Sequence, residues 1–159
     1  MDPVLLARLL ERPPGEFVAR ALDQLFSRDG LLLELDANER SIAYRLAMYL
    51  QTELPALNVD CEYNRDGIDP KKIQHLHLAP DDEDTEAKTV FPDIIAHVRN
   101  SKDNYLVVEL KKTTNTISRE TDIAKLRGYK KALGYKFALF IELVAAANPD
   151  VKTIQWVDV

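Results

Sequence analysis

The stretch FPDIIAHVRNSKDNYLVVELKK, residues 91–112, decides the fold. Two apolar runs flank the polar segment NSKDN, whose Asn, Ser and Asp residues are typical of a turn. The runs therefore predict antiparallel strands over residues 89–99 and 105–112. With the turn centred near residues 101–102, positions whose numbers sum to about 202 lie opposite each other. This register pairs Asp93 with Glu109.

Charged residues stand in the second run although their neighbours are apolar. Glu109 and Lys111 are two residues apart, so a strand places both side chains on the same face. Opposed residues of an antiparallel pair also share a face, with Cβ atoms about 5 Å apart. We therefore expect Asp93, Glu109 and Lys111 to meet in one patch. A solvated edge-strand pair (Glu109 and Lys111) and a turn or cap residue (Asp93) are the alternative interpretations.

Two carboxylates in such a patch need a positive charge between them. At about 5 Å they repel each other, and a divalent cation removes the repulsion. Mg²⁺ binds one or two carboxylates and completes its shell with water and phosphate oxygens. The ion can activate water and neutralise charge on a phosphate, and a neighbouring lysine can hold that water. The patch thus predicts hydrolysis of a phosphodiester.

The rest of the chain alternates between helical and extended patterns. We predict four helices: over residues 3–12, over 16–28, from a cap at Asp36 or Asn38 to about Thr52, and over 118–133. We predict further strands over 58–65 and 136–144 and an edge strand over 152–157. Residues 66–88 are expected to form a polar, irregular loop. A helix between two strands makes strand 136–144 parallel to strand 105–112. The predicted fold class is α/β, a central mixed sheet flanked by helices, with residues 1–30 as a helical extension packed on a domain of residues 31–159.

The charge distribution and the cysteine content limit which partners and which cellular compartment the sequence predicts. The net charge is −5, yet residues 99–136 hold ten basic and four acidic side chains, a local positive excess suited to phosphates. Cys61 is the single cysteine, so an intrachain disulfide is impossible and a reducing compartment is expected. No apolar run approaches the roughly 20 residues that span a bilayer. We expect a cytoplasmic protein that does not bind membranes.

The same motifs resemble those of the PD-(D/E)XK nuclease superfamily. Its signature is Pro-Asp at one strand and acid-x-Lys on the neighbouring strand, here Pro92-Asp93 and Glu109-Leu110-Lys111. The family often adds a glutamate from the preceding core helix, where Glu39 stands, although Glu39 could instead complement the helix dipole. The resemblance covers roughly residues 37–144 and implies a restriction-endonuclease-like fold.

The resemblance also implies roles for the site residues. A metal-dependent nuclease of this kind would use four catalytic residues: Glu39, Asp93, Glu109 and Lys111. It would bind Mg²⁺, with Mn²⁺ as a substitute, through Asp93, Glu109, Glu39 and the carbonyl of Leu110. Its phosphate contacts would come from basic residues: Lys112, Lys125, Arg127 and Lys130. A solvated helix charge is the alternative for Lys125. The expected partners are DNA rather than RNA, and a second copy or a larger protein. A non-cleaving binding or assembly module is the alternative function.

Overall fold

A five-stranded mixed sheet with helices on both faces forms the centre of the protein. The computed structural model describes residues 1–63 and 91–159, together with the backbone of four two-residue strands between them. The helices are α1 (Pro3–Leu9), α2 (Gly15–Glu34), α3 (Glu39–Glu53) and α4 (Arg119–Leu133); the strands are β1 (Asn58–Cys61), β2 (Arg65–Asp66), β3 (Asp69–Pro70), β4 (Lys72–Ile73), β5 (Lys88–Thr89), β6 (Ile94–His97), β7 (Asn104–Lys112), β8 (Phe137–Leu143) and β9 (Val151–Trp156). Most of the predicted loop over 66–88 lies outside the described residues.

Strands β6 and β7 form the antiparallel pair that the opening stretch predicts. Ile94 lies opposite Val108 and Ile95 lies opposite Val107, so the predicted register is confirmed. The register shifts between Ala96 and His97, next to the turn. Strand β6 is shorter than the predicted 89–99, since its sheet pairing begins at Ile94.

The remaining strands extend this pair on both sides in the order β1-β6-β7-β8-β9. Strand β8 runs parallel to β7, as the intervening helix α4 requires, and all but one of its residues are buried. Strand β9 is antiparallel to β8 and lies at the edge, where it was expected. The fold is therefore α/β with a mixed sheet.

Helices α3 and α4 begin at polar residues that cap them. Asn38 accepts a hydrogen bond from the Ser41 amide at the start of α3, and Ser118 accepts one from the Glu120 amide at the start of α4. Gly134 ends α4 in the left-handed conformation, at φ 70°, which glycine adopts without a steric penalty. These three helix ends thus follow from local sequence chemistry.

The N-terminal helices differ from the prediction. Helix α1 ends at Leu9 rather than residue 12. Helix α2 has a kink at Asp29, directly after the predicted end at residue 28, and a further helical stretch continues to Glu34. The extension occurs because Leu33 is fully buried and prolongs the apolar stripe of α2 beyond Gly30. The kink at Asp29 lies next to residue 30, where the helical extension was expected to end.

Each face of the sheet carries its own core. Helices α1, α2 and α3 pack with alternate residues of the strands, among them Ile94, Val108 and Leu110. Helix α4 packs on the other face with Ile95 and Val107. Trp156 ties α1 to the sheet edge, since its indole N–H donates to the carbonyls of Arg8 and Leu9, at 3.1 and 3.2 Å. Among the described residues, no helix is long and apolar enough to cross a membrane.

Candidate functional site

Asp93 and Glu109 lie on the α4 face of the sheet, at the end where β7 and β8 finish. Strand pairing ends at Ile94–Val108, and the same register continued by one position would place Asp93 opposite Glu109. Odd-numbered residues of β7 share the face of Val107, which packs against α4. Oδ2 of Asp93 accepts a hydrogen bond from the Leu110 amide at 2.8 Å, which fixes the carboxylate against β7.

Glu109 is the most unusual group of the site. Its side chain is only 2% exposed. Burial, followed by the charge of Asp93, raises the pKa of Glu109 to about 8. Oε1 is buried and makes no hydrogen bond of ordinary distance and angle within the part of the chain that the structure describes. The Tyr129 hydroxyl is nevertheless a neighbour of this carboxylate, because burial and then the charge of Glu109 raise the pKa of Tyr129. A buried carboxylate oxygen without a hydrogen-bond partner lowers the stability of the fold, which makes Glu109 a candidate functional residue.

Asp93 shares this electrostatic environment. Burial raises the pKa of Asp93 to about 6, although the hydrogen bond from the Leu110 amide acts in the opposite direction. The two neighbouring carboxyl groups therefore release their protons less readily than exposed acids. A cation that binds between them would reverse both shifts.

Lys111 lies on the predicted face but its ammonium is held by helix α4. The residue is 3% exposed, and Nζ lies 2.8 Å from Oδ2 of Asp122. Asp122 also accepts from Lys125 Nζ through Oδ1, at 3.1 Å. Lys125 in turn lies 3.3 Å from Oε2 of Glu109. Acids and lysines therefore alternate along one chain of contacts (Glu109, Lys125, Asp122, Lys111).

Asp122 is the member of the site that sequence reasoning missed. It lies four residues before Leu126 and seven before Tyr129, on the inward stripe of α4. An acid on an otherwise apolar inward stripe was the signal available in the sequence. Glu39 on α3 shows the same pattern, an acid on the inward side of a helix.

Lys125 provides a positive charge beside Glu109. Burial alone would lower the pKa of Lys125, but the charges of Glu109 and Asp122 raise it. Its side chain remains 29% exposed, so the ammonium can reach solvent. The predicted alternative of a purely solvated helix charge does not describe this position.

Glu39 reaches β7 from the other side of the sheet. Oε1 accepts a hydrogen bond from the Lys112 amide at 2.8 Å, and both oxygens accept from the Asn115 side-chain amide at 3.0 Å. The Glu39 charge contributes to raising the pKa of Asp93, so the two acids belong to one neighbourhood. The carboxylate nevertheless holds the end of β7 and the segment that follows it.

The predicted phosphate-binding lysines and arginine differ in their surroundings. Lys112 Nζ donates to the carboxylate of Asp36 at 2.6 Å and to the Ala37 carbonyl at 2.7 Å. Lys130 Nζ lies 2.9 Å from Oδ1 of Asp158. Arg127 is exposed on α4. Much of the positive excess in this region is therefore balanced by intramolecular ion pairs.

The residues present fit a small divalent cation with few protein ligands. No group of three or more His, Cys, Asp or Glu side chains is arranged to hold a metal ion among residues 1–63 and 91–159. Mg²⁺ requires only one or two carboxylates, with water and phosphate completing its shell. Asp93 and the unpartnered Oε1 of Glu109 supply that set. The carbonyl of Leu110 as a third ligand stays a prediction.

Comparison of the chain with protein-family models, with curated proteins and with solved structures gives no match. The arrangement of Asp93, Glu109, Lys111, Asp122 and Lys125 is thus interpreted from its own chemistry.

Proposed function

We propose that the protein is a metal-dependent nuclease that hydrolyses phosphodiester bonds, with DNA as its substrate. The observation that carries the proposal is the buried Glu109 carboxylate, whose Oε1 has no hydrogen-bond partner among the described residues. The charge of Asp93 acts on Glu109, and Lys111 lies two residues along the strand on the same face. The resemblance to the PD-(D/E)XK superfamily and its restriction-endonuclease-like fold belongs to the same proposal.

The position of the pair in the fold supports this function. Ligands of open α/β sheets bind at the carboxyl ends of parallel strands. Glu109 and Lys111 belong to the last part of β7, which runs parallel to β8. Helix α4 covers the adjoining face and brings Asp122 and Lys125 to the same end. Charged side chains therefore converge at the carboxyl end of the central strand β7, where the proposed substrate would bind.

Asp93 and Glu109 would hold Mg²⁺, and Mn²⁺ would substitute. When bound, the ion supplies Lewis acidity and a more acidic water. Lys111 shares the strand face of Glu109 and its ammonium is held by Asp122, and from this position it would orient the attacking water. Lys125 is exposed enough to contact a phosphate oxygen, and Arg127 adds a charge on the surface of α4.

In the proposed mechanism Glu39 acts by accepting a hydrogen bond from a backbone amide of β7. Its hydrogen bond to the Lys112 amide holds the end of β7, the strand that carries Glu109 and Lys111. A metal bridge through water is a second role for the Glu39 carboxylate. Lys112 anchors the segment before α3, so its phosphate contact would require release from Asp36.

One observation favours a non-cleaving module as the second candidate. The Lys125 ammonium already supplies a positive charge next to Glu109, so the site is partly neutralised without a metal. Such a site can persist on a binding or assembly module for nucleic acid or a protein partner. The two candidates differ in whether the acids are needed for turnover.

A cleavage assay separates these candidates. Supercoiled plasmid and single-stranded DNA are incubated with the protein and Mg²⁺, Mn²⁺ or EDTA. We expect metal-dependent cleavage that falls about a hundredfold or more in Asp93→Asn, Glu109→Gln and Lys111→Met. The matched control is Glu120→Gln, an exposed acid on α4 that bonds Ser118. Equal DNA binding by all variants with no cleavage by the wild type would favour the non-cleaving module.

A further inference from the structure

Asp122 occupies the centre of the charged cluster. It is 6% exposed, and its two oxygens contact different lysines. Oδ2 lies 2.8 Å from Lys111 Nζ, and Oδ1 lies 3.1 Å from Lys125 Nζ. One carboxylate on α4 therefore determines where two ammonium groups stand relative to the acids of the sheet.

The two lysines differ in how they relate to Glu109. Lys125 contacts Glu109 as well as Asp122, whereas the Lys111 ammonium is directed to Asp122. Lys111 and Glu109 nevertheless share a strand face, two residues apart. Glu142, the neighbour of Lys111 across β8, shares that face, but its oxygens already pair with Arg119 and Thr153. Without Asp122, Glu109, whose Oε1 has no hydrogen-bond partner among the described residues, is therefore the acid left for the Lys111 ammonium. Asp122 thus keeps a flexible, positively charged side chain away from the carboxylate pair.

Burial makes this pairing obligatory. A buried ammonium needs a charged partner, because its desolvation is otherwise uncompensated. Asp122 lies in the first turn of α4, where the helix dipole stabilises negative charge. The helix therefore provides a suitable place for an acid that must stay paired to two lysines.

We propose that Asp122 is a positioning residue of the site, a statement that rests on the proposed function. It orients Lys111 for the attacking water and, at the same time, prevents the Lys111 ammonium from closing the Asp93–Glu109 pair to a divalent cation. Asp122 itself contacts neither the cation nor the substrate. When Asp122 is replaced, the freed Lys111 ammonium is expected to pair with Glu109 and so compete with the cation for that carboxylate.

The test measures Mn²⁺ binding to the folded protein by calorimetry, without DNA. We expect Asp122→Asn to bind Mn²⁺ about tenfold more weakly than the wild type, and Asp122→Glu to recover much of the loss. The double variant Asp122→Asn/Lys111→Met is expected to bind like the wild type, since the freed ammonium is gone. Glu120→Gln is the control on the same helix.

The outcomes are distinct. Wild-type protein that binds no Mn²⁺ would refute the metal-dependent function, and the inference with it. Wild-type binding with equal binding by Asp122→Asn would refute the inference alone. A double variant as weak as Asp122→Asn would indicate a merely structural role for Asp122, and would also overturn the inference.

A second measurement covers the case in which Asp122→Asn does not fold. In wild-type protein labelled with ¹⁵N in the lysine side chains, the Lys111 ammonium held by Asp122 is expected to give a slowly exchanging signal. Saturation with Mg²⁺ should leave that signal in place while the Lys125 signal shifts. A Lys111 signal that moves or broadens on saturation would show that its ammonium leaves Asp122, contrary to the inference.

Discussion

The Lys125 ammonium lies 3.3 Å from Oε2 of Glu109, while Oε1 of the same carboxylate is buried without a hydrogen-bond partner among the described residues. Oε2 of Glu109 therefore lies against a cation of the protein itself, whereas Oε1 has no such partner among the described residues. A divalent cation that binds Glu109 has to coexist with, or displace, this lysine.

The first prediction concerns that competition. Lys125→Met removes the ammonium and is expected to tighten Mn²⁺ binding by about twofold to fivefold, the effect of losing one partly exposed ion pair of ~0.5–1 kcal/mol. Calorimetric titration without DNA measures the change. Lys131→Met, an exposed lysine on the same helix, is the control and should bind as the wild type does. Weaker binding by Lys125→Met would show that Lys125 assists the cation.

The second prediction concerns pH. The pKa of Glu109 is raised from 4.5 to about 8, so the folded protein keeps a proton that the unfolded chain has already lost. Folding is then disfavoured as pH rises, and the contribution of Glu109 to stability decreases progressively from about pH 4.5 to pH 8. Asp93, raised from 3.8 to about 6, acts in the same direction over a lower range.

Chemical denaturation in EDTA between pH 5 and pH 9 measures this dependence. Glu109→Gln is expected to gain stability relative to the wild type as pH rises through that window, and the difference should level off above about pH 8. The reference is Glu120→Gln, whose difference from the wild type should stay flat. A difference that stays flat between pH 5 and pH 9 would mean that Glu109 is already ionised in the folded protein.

The third prediction distinguishes two roles of Lys112. Its ammonium holds Asp36 and the Ala37 carbonyl, so Lys112→Met is expected to lower the free energy of unfolding by about 1–3 kcal/mol. Urea denaturation measures the loss, with Lys131→Met as the control. A role in phosphate contact would instead leave stability unchanged and weaken DNA binding with a smaller salt dependence.

The register of the central hairpin could be predicted because it depends on local chemistry. A polar turn and two apolar runs determine which residues oppose each other, and the observed Ile94–Val108 pair has the expected register. Alternation along β7 then determines that Glu109 and Lys111 share a face. The caps at Asn38 and Ser118 follow from side chains that satisfy backbone amides.

The partners of the long basic side chains could not be predicted in this way. Lys112 pairs with Asp36, and Lys130 pairs with Asp158, across long stretches of sequence. A flexible side chain selects its partner only after the tertiary structure has brought acids within reach. The role of Asp122 became visible for the same reason, once α4 was placed over β7.

The fourth prediction compares two glycines. A Cβ at Gly15 would lie 1.8 Å from the carbonyl oxygen of Leu9, so Gly15→Ala is expected to cost about 1–3 kcal/mol and to displace α1. No atom lies within 4 Å of a Cβ at Gly30, in the interior of α2. Gly30→Ala should stabilise by about 0.5–1 kcal/mol. Thermal unfolding followed by circular dichroism checks both, and a neutral Gly15→Ala would contradict the close approach.

Trp156 gives the molecule an intrinsic optical reporter. It is the only tryptophan in the chain, and its indole N–H is held by the carbonyls of Arg8 and Leu9 at the end of α1. Fluorescence emission from this ring therefore reports on one contact, the packing of the first helix against the last strand. Detachment of that helix would expose the indole to water and shift its emission to the red, without any added dye.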